Sequence, residues 1–308
     1  MTSAVVVGSG PNGLAAAIRL AQAGLEVTVL EAHERAGGGT RTDDQLTVPG
    51  LVHDVCAGFH PTAVASPFFA SLDLGRHGLR WLWPEIDLAH PLDDGRAALA
   101  ARDMDRSVAS LGRDGARWRR IFDPIVRHFD DLVEDVFQPV AHLPRHPVTL
   151  GRFGVKAAMP ATWQAARFSD EPAKALLTGG AAHKFGTLTG PLGSSVGYLL
   201  VGAAHAVGWP VAEGGTESIT RALLAELASL GGTVRTGVRV RSLDSVAELA
   251  GLDRRPDVVV LDTAPAGALE IVGDALPSRV RRAFERFDYG PAAYKVDFAV
   301  DGGIPWTN

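Results

Sequence analysis

At 308 residues the chain is about twice the length of an ordinary single domain, so two domains are expected. With 46% hydrophobic and 21% charged residues it is not wholly disordered, and a net charge of −5 excludes the basic field that a nucleic-acid binder needs. One cysteine, Cys56, excludes an internal disulfide framework and a cysteine zinc cluster.

The chain opens on a β-branched apolar run, residues 4–7, with no basic stretch before it and no small-residue cleavage pattern after it, so no targeting segment is read. The longest later apolar stretch, 196–207, contains Gly197, Gly202 and His205 and is shorter than the roughly 20 residues that span a bilayer. The expectation is a cytoplasmic protein, with peripheral membrane contact left open.

Residues 4–7 read as a buried strand. Gly8-Ser9-Gly10-Pro11-Asn12-Gly13 follows, then a helix of small and apolar residues closed by Gly24, then a second strand over 26–30 that ends on Glu31. In a strand–turn–helix unit that binds a dinucleotide, Gly8 permits the tight turn and Gly10 lets backbone approach a pyrophosphate. Gly13 lets the helix pack close to the strand. The helix N-terminus offers free N–H groups to phosphate, and an acid at the position of Glu31 accepts from ribose hydroxyls.

Just after Glu31 the chain reads Ala32-His33-Glu34-Arg35-Ala36-Gly37-Gly38-Gly39-Thr40-Arg41. This resembles the arginine–x–glycine–glycine motif of the amine-oxidase and phytoene-desaturase superfamily of FAD flavoproteins. The resemblance implies FAD as cofactor. It places Gly8, Gly10, Pro11, Asn12 and Gly13 at the pyrophosphate and Glu31 and Ala32 at the ribose, with Arg35, Gly37, Gly38, Gly39, Thr40 and Arg41 forming a second loop. Residues 49–61 resemble the segment that runs beneath the flavin ring. Residues 209–240, including strands at 233–235 and 238–240, resemble the superfamily's return into its FAD domain, where a valine at the position of Val240 packs by the adenine. Residues 257–265 resemble a later strand and turn, which carries Ala264. The nearest group is the phytoene-dehydrogenase-related one that includes proteins like pyridine nucleotide-disulphide oxidoreductase domain-containing protein 2.

There are two departures. Gly39 stands where the superfamily often has arginine, so Arg41 is expected to supply the cation. Family members are also about half as long again and carry a last glycine-rich turn that is not found here, so the sequence reads as a fragment, incomplete at its C-terminal side.

Between residues 75 and 205 the βα rhythm is lost. Residues 80–99 read as a hairpin around Asp93-Asp94-Gly95. Trp118, Phe122, Ile125, Phe129, Leu132, Val133 and Val136 recur at spacings of three and four, which predicts one amphipathic helix, kinked at Pro124. Arg113, Arg117, Arg119 and Arg120 read as its solvated face. His53, His60, His183 and His205 lack metal-ligand spacing. His60 either lines the flavin pocket or is a packed histidine; His183 reads as a helix end and Cys56 as a buried small hydrophobe.

The run 294–300 alternates, so Lys295 shares a strand face with Asp297 and Ala299. In amine-oxidase-like members a lysine on the matching strand holds a water against flavin N5, and Ile304-Pro305-Trp306 resembles the aromatic–proline segment beyond it. Periodicity alone leaves an exposed strand lysine equally open.

The expected fold is α/β. A Rossmann-like FAD-binding domain is formed by 1–74 and 206–274, a hairpin and helical cap fills 75–205, and an incomplete α+β substrate domain begins at 275–308. The expected function is an FAD-dependent oxidoreductase, of dehydrogenase or desaturase type, that takes a hydride from a C–H or C–N bond of an apolar small molecule. Electrons pass to oxygen, a quinone or another acceptor. The alternatives are a non-catalytic dinucleotide-binding remnant and an NAD-dependent dehydrogenase.

Overall fold

The computed structural model describes residues 2–139 and 141–304. The described residues form two compact units: one within 2–58, 73–80 and 212–299, the other within 59–72, 81–139, 141–211 and 300–304.

The first unit is α/β. Its sheet has four parallel strands in the order Val258–Leu261, Ser3–Val7, Glu26–Leu30, Thr233–Arg235. Val5 pairs with Thr28 on one side and Val259 on the other, so the first strand is central and its side chains are buried on both faces. That is why the run is continuously apolar rather than alternating. The helices Pro11–Gln22 and Glu217–Ser229 pack together. A separate cluster joins Val5, Val7, Leu30, Val240, Val246 and Ile271.

The first helix lies against the strand ends because glycine permits it. A Cβ on Gly13 would fall 2.3 Å from the Gly8 carbonyl oxygen and 2.8 Å from Asp262 Oδ2, and one on Gly8, whose φ is +106°, would fall 2.4 Å from the Asp262 carbonyl oxygen. The two contacts with carbonyl oxygens are backbone collisions that side-chain motion does not relieve.

The second unit is built on one core in which Trp118, Phe122, Leu132, Leu176, Tyr198 and Val201 are fully buried. The expected turn at Asp93-Asp94-Gly95 joins Leu88–Pro91 to Ala97–Ala100 in an antiparallel hairpin, with Gly95 at φ +82°. Inside the core the Trp118 indole N–H donates to His205 Nε2 at 3.0 Å, and His205 Nδ1–H donates to the Ala101 carbonyl at 2.7 Å. His205 is thus fixed in its neutral Nδ1–H form.

Several expectations are corrected. The amphipathic helix is two helices, Gly115–Arg127 and Phe129–Val136, separated at His128 one turn past Pro124, which removes a backbone donor from the ladder. The arginines at its start do lie outward or half-exposed, and Arg119 pairs with Asp105. Residues 238–240 are not a strand. The chain turns at Gly237 (φ +69°) and Val238 N–H donates to the Glu31 carbonyl at 2.8 Å, so this segment follows the end of the second strand without a ladder. Residues 294–300 are likewise not a strand: alternation supplies two faces, but pairing needs a neighbouring edge, and the described residues provide none there. Cys56 is exposed rather than buried. His183 does close a helix, Glu171–Ala182.

Two predictions follow from this packing. Gly13→Ala is expected to destabilise the first unit by about 2–3 kcal/mol, since backbone must move to admit the methyl group; a urea midpoint within error of the parent's contradicts the close approach. The second prediction concerns acid. Burial, only partly offset by the Ala101 bond, holds the His205 pKa below 6.5, and burial followed by the charge of His183 does the same at His90. The unfolded chain therefore binds more protons than the folded one below about pH 6.5, and stability is lost as pH falls through that value. Melting temperature measured from neutral pH downward is expected to drop below that point; a flat profile rules this out.

Candidate dinucleotide site

The turn from Val7 into the Pro11–Gln22 helix forms the floor of a cleft of about 450 Å³ in the first unit. Gly8 N–H donates to the Leu30 carbonyl at 2.8 Å, which brings the ends of the first two strands level. Gly10 takes the helix N-cap position without a side-chain cap, and Pro11 follows at the first helical position, where a missing N–H costs nothing. Gly10 is closed in from two sides: an added Cβ would sit 3.0 Å from Asp262 Oδ2, and a Cβ on Gly38 would sit 3.0 Å from the Gly10 Cα. The second glycine loop therefore rests on the first.

Glu31 stands at the end of the second strand, in the cleft wall. Its Oε2 accepts from Ser9 Oγ at 2.6 Å and Ser9 N–H at 2.9 Å, and its Oε1 accepts from His33 N–H at 2.8 Å. Burial raises the carboxyl pKa, but the bonds from the Ser9 hydroxyl and the His33 and Ser9 amides, with the charge of His33, outweigh it and leave the group below its ordinary value. Glu31 is ionised and fixed in place, with lone pairs remaining for hydroxyl donors.

Among the expected site residues, Gly8, Gly10, Glu31, Ala32, Gly38 and Val240 line the cleft together. Val240 is buried and forms part of the apolar wall with Val7 and Leu30. Others support it from behind. Gly13 N–H donates to Asp262 Oδ2, Gly37 N–H to the Ser9 carbonyl at 3.1 Å, and Thr40 Oγ1 to the Gly37 carbonyl at 2.6 Å. The arginines are occupied elsewhere in the same unit. Arg35 binds the Thr42 carbonyl and Glu217, both at 2.6 Å; Arg41 binds the Gly38 carbonyl at 2.7 Å and the His33 ring. Pro11, Asn12, Gly39 and Ala264 do not line the cleft, and Ala264 is the N-cap of the helix Pro265–Val272.

Lys295 and His60, the two residues expected beside the flavin ring, are not among the residues that line the cleft. Lys295 sits in the non-strand segment beyond residue 290, donating to Asp297, whose carboxylate also meets His53 Nδ1 at 3.2 Å. His60 belongs to the second unit, where its N–H donates to the Pro210 carbonyl at 2.9 Å and its ring packs 5.8 Å from Trp81. Pro305-Trp306 lies outside the described residues.

Sequence reasoning missed Ser9 and Asp262 as site residues. Asp262 N–H donates to the Val7 carbonyl at 2.8 Å while its Oδ2 accepts from Gly13 N–H at 2.8 Å, so it caps the first helix from the neighbouring strand. The available signal was the repeated grammar of apolar strand, polar residue and proline-led helix at 258–265. The cradle of glycines, the ordered acid and the apolar wall fit the ADP half of a dinucleotide. Against this, the Asp262 carboxylate sits at the helix end that would face phosphate.

Residues 6–72 match the family described as NAD(P)-binding Rossmann-like domain. Hydroxyneurosporene desaturase from Cereibacter sphaeroides is 32% identical over 294 residues, covering 88% of this chain and 56% of the desaturase. Pyridine nucleotide-disulfide oxidoreductase domain-containing protein 2 from Mus musculus is 24% identical over 353 residues, covering 97% of this chain and 60% of the mouse protein. The chain thus spans a little over half the length of these relatives. A putrescine oxidase mutant structure superposes with a TM-score of 0.56 at 21% identity, covering 92% of this chain and 63% of the oxidase, and so shares the fold. Over most of its length the chain thus resembles members of the amine-oxidase/desaturase superfamily, and it shares their dinucleotide-binding fold.

Proposed function

We propose that the first unit binds FAD through its ADP half, and that the chain forms the cofactor-binding part of an oxidoreductase acting on a C–H or C–N bond of an apolar small molecule. The observation that carries this reading is the pairing of two interlocked glycine loops with an ionised, pre-ordered Glu31. When bound, FAD supplies a ring that accepts a hydride and passes electrons on, to oxygen, a quinone or another acceptor. The chain's own residues bind and orient. Glu31 accepts from the ribose hydroxyls, Gly8 and Gly10 allow the diphosphate to approach backbone, and Val240 offers an apolar surface to the adenine. A nicotinamide dinucleotide shares the same ADP half and remains the second reading, supported by the generic family match over residues 6–72. The carboxylate of Glu31 repels a 2′-phosphate, so NADP is disfavoured.

The absorbance spectrum of the purified protein and titrations with FAD, ADP and NAD test this. Flavin bands, or binding of FAD and ADP with weaker binding of NAD, are expected; tight NAD binding with no FAD binding overturns the assignment. Glu31→Gln is expected to weaken ADP binding by about 1–3 kcal/mol, since a charged acceptor is lost. Asp262→Asn keeps the acceptor for Gly13 N–H and removes the negative charge beside the phosphates. ADP binding measured by calorimetry is expected to tighten roughly fivefold, about 1 kcal/mol. Weaker binding in this variant contradicts the charge argument.

A further inference from the structure

The second unit carries a surface that its own core does not explain. The helix Pro147–Ala157 turns Leu150 and Phe153 inward against the unit's main cluster. Its opposite side presents Val148 and Val155, two turns apart and therefore in one stripe, at 65% and 72% exposure, with Arg152 between them. Further exposed apolar side chains follow the helix end. Leu192 N–H donates to the Ala158 carbonyl at 2.9 Å and Ser194 N–H to the Met159 carbonyl at 3.0 Å, so the 188–194 loop lies along the segment that leads into the short helix Ala161–Ala165. That helix buries Ala161, Gln164 and Ala165 and leaves Trp163 outward at 65% exposure. Phe185 and Leu192, both exposed, hold φ of +53° and +58°, the two non-glycine residues in the left-handed region among those described. Bulky apolar side chains held outward at a conformational cost are unusual on a surface that faces only water.

Charge selects the occupant. From Phe137 to Ala212 the sequence holds six basic residues, Arg145, Arg152, Lys156, Arg167, Lys174 and Lys184, against two acids, in a chain of net charge −5. Both acids are paired, Asp170 with Arg96 at 2.9 Å and Glu171 with Lys174 at 2.8 Å. Of the cations, Arg145 meets Glu134 at 3.6 Å and Lys156 turns inward to the Ile121 carbonyl at 3.0 Å, so the outward basic charge is carried by Arg152, Arg167 and Lys184. No described helix is long and apolar enough to cross a membrane. An apolar stripe with a tryptophan and a basic surround is the pattern of a segment that lies in a bilayer interface.

We propose that the face carrying Val148, Val155, Trp163 and Leu192 docks on the surface of an anionic phospholipid bilayer, with Arg152 and its basic neighbours against the head groups. The apolar side chains enter the head-group boundary, and each nearby cation adds about fivefold to partitioning.

Co-sedimentation with mixed phosphatidylcholine–phosphatidylglycerol vesicles, against pure phosphatidylcholine vesicles, tests it. The chain is expected to sediment with the mixed vesicles, to bind the neutral ones at least tenfold less, and to be released by salt. The double variant V155S/W163S changes only outward side chains, so its circular dichroism is expected to match the parent's while vesicle binding falls about tenfold or more. R152Q is expected to lower binding to the mixed vesicles alone, by about fivefold. Absence of binding to either vesicle, equal binding to both, or binding untouched in the double variant overturns the proposal. So does a parent that self-associates through this face, with the double variant monomeric and neither sedimenting with lipid.

Discussion

The first unit depends on a point where three backbone segments meet with no room for a side chain. The end of the Ser3–Val7 strand, the first turn of the Pro11–Gln22 helix and the end of the Val258–Leu261 strand converge at Gly8, Gly13 and Asp262. The approach fixes the direction of the helix relative to the sheet. It also sets the helix N-terminus at the cleft floor with Gly13 N–H capped by Asp262, and through the bond from Gly8 to Leu30 it brings the second strand level, so that Glu31 emerges at the cleft wall. Each consequence is geometric, and each follows from the absence of a Cβ at a place where backbone already stands within bonding reach.

Charge in the cleft has an uncommon balance. Its described lining includes Glu31, Asp262 and Glu270 but a single cation, Arg239, which is turned toward Glu270 at 3.5 Å. The two arginines of the second glycine loop are committed to Glu217, to backbone carbonyls and to the His33 ring. Any anion held here is held by backbone amides and the dipole of one helix rather than by side-chain cations. Glu31 fits this scheme because the Ser9 hydroxyl and the Ser9 and His33 amides hold it ionised without an arginine or lysine partner.

Much of this was legible in the sequence where the signal was local. The apolar run, the glycine turn, the small-residue helix and the strand ending on Glu31 occupy contiguous positions, and the structure sets the strands at Ser3–Val7 and Glu26–Leu30. The hairpin turn at Asp93-Asp94-Gly95 was legible for the same reason, since glycine alone suits the left-handed position there. What escaped depended on partners distant in sequence. Asp262 acquires its role from Gly13, 249 positions away, and nothing beside it announces that contact. The alternation at 294–300 described the faces of a strand, but a strand is a pairing and not a pattern. At His128 the apolar spacing continues unbroken across a real interruption, because spacing reports which side chains face inward and not whether the backbone ladder is continuous.

The strand order also dictates an order of assembly. The central strand leaves the ribosome well before one of its two neighbours, which ends at Leu261, and nearly all of the second unit lies between them in the chain. During synthesis Val5 and Val7 leave the exit tunnel long before Val259 and Leu261 exist to pair with them. For that interval the strand Ser3–Val7 has only Glu26–Leu30 beside it; its other edge leaves backbone N–H and C=O groups unpaired next to the apolar side chains of residues 4–7. The second unit, whose core is drawn largely from one continuous stretch, can close in the meantime. The glycine turn that forms the cleft floor is thus made early and completed late, and the nascent chain is most exposed to mispairing and to chaperone capture in between.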